Sequence, residues 1–133
     1  MRLIPVEFWV IILGMILPYA DRAVVDIRKL RDYCLNIHHD EGKHKARVFI
    51  AALGMTDNDA EALRGMVLEV LKSAEARLKR RDMFGQRYEV DFVANWQGKR
   101  AVIRSGWIVE HQYEVPRLTT CYPIDWGNDG NQY

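Results

Sequence analysis

Cysteine and net charge are what this chain has least of. Only Cys34 and Cys121 are cysteines among its 133 residues, and they lie far apart, so neither a disulfide framework nor a paired-cysteine metal or redox motif is available. Both are expected as reduced, half-buried thiols in a cytoplasmic protein. Lysine and arginine number 19 against 18 acidic residues, a net charge of +1, so nothing draws the whole chain toward nucleic acid or membrane. Attraction for a polyanion has to come from local clusters, and residues 43–47 and 77–81 are the two candidates. Long apolar runs are also scarce. The run at residues 8–17 is too short to span a bilayer as a helix, so no stable membrane insertion is expected. It has the shape of a short signal peptide, yet Pro18-Tyr19-Ala20 is a poor cleavage site. The preferred expectation is that Met15 is the natural start and residues 1–14 an apolar extension without a folded role; export is the alternative.

What is present reads as one domain, residues 15–124, since 49% hydrophobic residues at this length supply one modest core. Asp26 precedes Ile27, Leu30 and Cys34 at helical spacing, which predicts a capped helix ending near Leu35. A loop over residues 36–42 follows. Ala46, Phe49, Ile50 and Leu53 repeat with helical period, and Gly54 is placed to end that helix in a left-handed turn. Thr56 and Asp59 form a capping box for a third helix with Ala60, Leu63, Val67, Val70 and Ala74 inward. The period then drops to two. Tyr88, Val90, Phe92 and Ala94 define one strand, a turn is expected at residues 96–99, and Ala101, Ile103, Ser105 and Trp107 define the return. Residues 117–122 read as a third strand, with Leu118, Thr120 and Tyr122 on one face and Arg117, Thr119 and Cys121 on the other. Residues 125–133 carry no period and read as a loose tail. The expected class is α+β: about three N-terminal helices, then an antiparallel sheet of three to four strands, with Phe92 and Trp107 buried against Phe49 and Leu63.

Chemistry concentrates in residues 36–49, where three of the four histidines and three cations surround one glycine. Imidazole changes charge near neutral pH, and ammonium and guanidinium groups hold phosphate. His39 and His44 are therefore the acid-base candidates, joined by Lys43, Arg117 and Tyr122 as catalytic groups. Lys45, Arg47, Arg104 and Thr119 are candidates for holding phosphate. Lys43 and Lys45 would sit at the start of the second helix, where free N–H groups favour an anion. Arg104 and Arg117 would converge from adjacent strands. The competing reading of each is plain: His44 on a helix surface, the two arginines on a solvated sheet face, Tyr122 a core aromatic. A metal reading of His38, His39, Asp40, Glu41 and His44 is set aside, because Lys43 and Lys45 oppose a divalent cation and no metal-ligand spacing is present. No metal or other cofactor is expected. Two non-catalytic classes stay open: an interaction module anchored by Trp9, Trp96, Trp107 and Trp126, and nucleic-acid binding through residues 77–81.

Ala20-Asp21-Arg22-Ala23, the run from Asp26 to Tyr33, Gly42-Lys43-His44-Lys45-Ala46-Arg47-Val48-Phe49, Leu53-Gly54, Tyr88, Trp107 and Pro116-Arg117-Leu118-Thr119-Thr120-Cys121-Tyr122 together resemble a small bacterial domain-of-unknown-function family. The likeness covers about residues 16–123. Where that family's loop before Gly42 usually holds proline and arginine, this chain has Asp40 and Glu41. In layout the family is similar to the barnase, EndoU, colicin and RelE group of RNA-cleaving toxin domains. The resemblance implies a metal-independent, toxin-like endoribonuclease acting through the 2′-hydroxyl, with RNA as substrate and a small neutralising protein as partner.

Overall fold

Residues 15–127 are described by a computed structural model of the chain. A two-residue strand β1 (Met15–Ile16) leads through a 3-10 turn (Ala20–Arg22) into a short helix α1 (Ile27–Lys29), which runs on as a wide five-residue turn (Leu30–Cys34). Helices α2 (Lys43–Leu53) and α3 (Ala60–Val70) follow, then strands β2 (Glu75–Asp82), β3 (Gly85–Trp96), β4 (Lys99–Glu110) and β5 (Arg117–Trp126). The five strands form one antiparallel meander in the order β1-β2-β3-β4-β5. The class is α+β, with two corrections to the expected layout. The sheet has five strands rather than three or four, and its first strand precedes the helices.

Both unexpected strands lack the usual signal. β1 is too short to show a period. In β2 only Ala76 is buried, and the rest is the charged run of residues 77–81, so alternation is invisible in the sequence. β5 also extends two residues past the expected domain end, with Asp125 and Trp126 paired to Val102 and Ala101. The expectations for residues 1–14 and 128–133 lie outside the described residues. Among the described residues no helix is long and apolar enough to cross a membrane.

The local signals act as their chemistry requires. The Asp26 carboxylate accepts from the Arg28 backbone N–H at 3.0 Å and caps α1. Gly54 at φ 70° closes α2, its N–H donating to the Ile50 carbonyl. Thr56 and Asp59 exchange capping hydrogen bonds ahead of α3. At the β3–β4 turn Gln97 and Gly98 both take positive φ, the arrangement that joins twisted strands with two residues.

The helices cover one face of the sheet. Trp107, Ile103, Val90 and Phe92 point at them, and Phe49, Leu63 and Val67 meet these side chains from the helices, all buried in one cluster. The one buried polar side chain among the described residues, Ser105, donates to the Val90 carbonyl at 2.8 Å and accepts from Trp107 Nε1 at 2.9 Å, so neither polar group is stranded. Cys34 and Cys121 are fully buried rather than half-buried, and burial pushes the Cys34 thiol up to about 11.

On β5 the two-residue alternation fails. Irregularities in the β4–β5 pairing fall between Gly106 and Trp107 and between Val102 and Ile103, so Leu118, Cys121 and Pro123 are the residues opposite Trp107, Ser105 and Ile103. The expected grouping of Leu118 with Thr120 and Tyr122 is thereby corrected. Thr119 is the inserted residue, and Tyr122 shares the outer register with Arg104.

Truncating Trp107 to alanine is expected to cost about 3 to 5 kcal/mol in chemical denaturation, the usual effect of removing a large core aromatic. A second expectation concerns acid. Asp82 accepts hydrogen bonds from Arg87, Arg80 and the backbone of Phe84 and Gly85, and above all the Arg87 guanidinium lowers its carboxyl from 3.8 to about 2. A folded-state value below the unfolded one means stability that is full above about pH 4 and lost as pH falls toward 2. Asp82→Asn should flatten that part of the acid-unfolding curve, and an unchanged curve would refute the assignment.

Candidate functional site

The site begins at the wide turn after α1. Leu35 N–H donates to the Leu30 carbonyl five residues back, at 2.8 Å, so this turn holds one residue more than an α-turn. Leu30 and Cys34 point into the core, and Tyr33 is left half-buried at the groove between the turn, α2 and β5. Three side chains meet on its ring. Lys45 Nζ donates to the Tyr33 hydroxyl at 3.2 Å and stands 5.2 Å from the ring centre. Lys29, one helical turn earlier, places its ammonium 5.4 Å from the same centre. His39 meets the ring edge-on, 5.0 Å between centroids. Lys45 also reaches the Tyr122 ring at 5.5 Å, which draws β5 into the group.

The loop that carries His39 is held by its own hydrogen bonds. Asn36 Oδ1 accepts from His38 N–H, and the Asn36 carbonyl accepts from His39 N–H. The His39 ring then turns back on the start of α2. Its Nδ1 accepts from the backbone N–H groups of Glu41 and Gly42, both at 3.0 Å, while its carbonyl accepts from Lys43 N–H. An acceptor Nδ1 carries no hydrogen, so the neutral ring has its proton on Nε2. Gly42 is buried beneath this loop, and a Cβ there would lie 2.0 Å from the Tyr33 carbonyl oxygen. Only glycine fits between the turn and the helix.

Two roles expected from sequence change as a result. The N–H groups of Glu41, Gly42 and Lys43, just before and at the start of α2, are taken by His39, so these three are closed to an incoming anion. His39 itself is fixed as a hydrogen-bond donor through Nε2. It cannot act as a base without breaking the two bonds at Nδ1.

Two adjoining grooves flank Tyr33. One, of about 580 Å³, is lined by Asp26, Arg28, Lys29, Asp32, Tyr33, His39, Glu41 and Thr119. The other, of about 460 Å³, is lined by Tyr33, His44, Lys45, Val48, Thr120, Tyr122 and Pro123. His39, His44, Lys45, Thr119 and Tyr122 thus gather around one tyrosine. Lys43 and Arg47 line neither groove, because positions two apart on a helix face different ways, and Lys45 holds the groove side.

The strand arginines are already occupied. Arg104 makes a two-pronged bond to Asp91 at 3.0 Å for each contact, with Glu89 at 3.6 Å, and the Asp91 carboxylate holds it charged. Arg117 turns to Glu110 at 3.2 Å, so the expected convergence of Arg104 and Arg117 does not occur. The basic run of residues 77–81 is largely spent too: Arg77 binds Glu89 and Asp91, Lys79 lies 3.8 Å from Glu89, and Arg80 binds Asp82. Among the described residues no carboxylate stands within ion-pair distance of Lys29 or Lys45. Nor do three potential metal ligands come together there.

Tyr33 and Lys29 escaped the reading of the sequence. Their spacing of four on a helix, the arrangement that lets a lysine reach an aromatic ring, was the available signal.

The family model described as a domain of unknown function (DUF6883) matches residues 16–125. The chain belongs to that family. Its matched span runs from β1 into the end of β5 and so contains the whole Tyr33 site. No curated protein and no solved structure matches the chain.

The tautomer can be observed directly. In long-range proton–nitrogen NMR spectra at neutral pH, His39 should show hydrogen on Nε2 and none on Nδ1. Gly42→Ala should force the turn and α2 apart and cost about 1 to 3 kcal/mol in thermal denaturation, the range for overpacking a tight site. Wild-type stability in that variant would contradict the contact.

Proposed function

We propose that this domain binds an RNA phosphodiester in the groove at Tyr33 and cleaves it by attack of the adjacent 2′-hydroxyl, without a metal ion. One observation carries the reading: Lys29 and Lys45, with no carboxylate at ion-pair distance among the described residues, both stand against the Tyr33 ring, and Lys45 reaches its hydroxyl at the edge of a groove. Fixed positive charge at that point would hold the phosphoryl oxygens and stabilise the charge they gain as the 2′-oxygen attacks. His39 adds a fixed N–H donor from Nε2.

Proton traffic falls to two groups. Lys45 donates to the Tyr33 oxygen, which leaves the Tyr33 hydroxyl hydrogen free to pass to the departing 5′-oxygen. His44, exposed and on the wall of the same groove, accepts the proton of the 2′-hydroxyl. The products are a 2′,3′-cyclic phosphate and a 5′-hydroxyl end. A domain of this activity would be held in check by a small neutralising protein, for which an acidic surface facing Lys29 and Lys45 is the natural fit.

A second reading, phosphate binding without cleavage, draws on the double hydrogen bond at His39 Nδ1, which leaves His44 as the one histidine of the grooves free to exchange a proton. Assays on total RNA and transfer RNA in EDTA separate the two. Cleavage should persist in EDTA, leave cyclic phosphate ends and spare DNA, which lacks the attacking hydroxyl. Lys45→Ala and His44→Ala should each slow it about a hundredfold, the usual size of one charge or acid-base contribution. Intact RNA in every assay, or rates unchanged in both variants, would sink the ribonuclease reading.

A further inference from the structure

The two grooves beside Tyr33 differ in charge, and that difference bears on which form of RNA fits. The groove toward α1 holds three carboxylates, Asp26, Asp32 and Glu41. Asp26 and Asp32 are matched by Arg28 and Arg31, so this side is close to neutral and polar. The groove between α2 and β5 contains no carboxylate. Its walls are Val48, Pro123 and the rings of Tyr33 and Tyr122, with the Lys45 ammonium held beside both rings.

We propose that the groove between α2 and β5 receives an unpaired nucleobase, so that the ligand is single-stranded RNA rather than duplex. This rests on the reading that the Tyr33 site binds an RNA phosphodiester. The phosphate sits at Lys45 and Tyr33, at one end of the groove. The flanking base then lies along the apolar walls, where an aromatic ring offers its face to any base. At about 460 Å³ the groove has the size of a small-molecule site. A duplex cannot use it, because its base faces are stacked against one another and its accessible groove displays only hydroxyls, phosphates and base edges. Charge favours one direction of the strand: a second phosphate is unfavourable toward Glu41, which no cation pairs among the described residues, and the base is favoured on the side free of carboxylates. Tyr122 is the specificity-determining residue in this arrangement, acting through its ring rather than its hydroxyl.

Fluorescence anisotropy with a labelled 2′-O-methyl oligonucleotide tests binding apart from cleavage, since this backbone has no attacking hydroxyl. At one fixed salt concentration the full chain should bind the single strand at least about tenfold more tightly than the same strand paired to its complement, in line with the loss of base stacking. Tyr122→Ala should remove most of that preference, and Tyr122→Phe should keep it. Val48→Glu, which places a carboxylate in the groove, should abolish single-strand binding while the melting temperature shows the protein folded. Equal affinity for single strand and duplex, no binding to either, or equal losses in Tyr122→Phe and Tyr122→Ala would overturn the proposal. Cleavage of unmodified RNA, followed in parallel, separates the two readings. Single-strand preference without cleavage removes the catalytic reading alone. Cleavage without single-strand preference removes the base-binding groove alone.

Discussion

Gly42 lies so close to the Tyr33 carbonyl that any side chain there would collide with it, and this contact joins the two halves of the site. It presses the start of α2 against the wide turn that follows α1. From that juxtaposition come two contacts of Tyr33, His39 on its edge from the intervening loop and Lys45 on its hydroxyl from α2, beside the Lys29 ammonium one turn back on its own segment. The Leu30 and Cys34 side chains anchor the turn in the core shared with Trp107 and Phe49, so packing energy from the sheet holds the polar groups in place.

Electrostatics then decides which cations remain for an anion. With 19 basic and 18 acidic residues, nearly every cation can find a partner, and on the outer sheet face most do. Arg77, Lys79 and Arg104 share Glu89 and Asp91 across three strands, a ladder whose carboxylates lie within 4 Å of guanidinium or ammonium groups. Partly exposed pairs of this kind contribute modestly to stability, yet they neutralise the face. Lys29 and Lys45 stand against aromatic rings instead, which hold an ammonium group without cancelling its charge.

His39 shows how a residue that the sequence marks takes its geometry from hydrogen bonds the sequence does not show. Its position in a histidine-rich loop marks it as chemically interesting. Its Nδ1 accepts from the Glu41 and Gly42 N–H groups that lead into α2, and these bonds decide which nitrogen is left for the groove. Neither fact is visible in the spacing of residues 36–49, because a loop's hydrogen bonds depend on where the chain turns.

The sequence alone determined the class of fold and most of its interior. Helical period, the Thr56–Asp59 box, Gly54 and the alternation around Phe92 and Trp107 are local signals, and local backbone and side-chain preferences suffice to read them. It also singled out residues 39–45 as candidates, and His39, His44 and Lys45 lie at the grooves beside Tyr33. The tertiary structure alone decided the rest. β2 is a strand because β3 and β1 pair with it, although its residues are mostly charged. The β5 alternation breaks where β4 imposes irregular pairing, and that break separates Thr119 and Tyr122 from the core. Arg104 and Arg117 are withdrawn from the site by carboxylates far from them in sequence or across a loop, and Tyr33 enters it through a lysine twelve residues away. Ion pairs and ring contacts of this kind depend on distance in space, and a one-dimensional pattern holds no record of that distance.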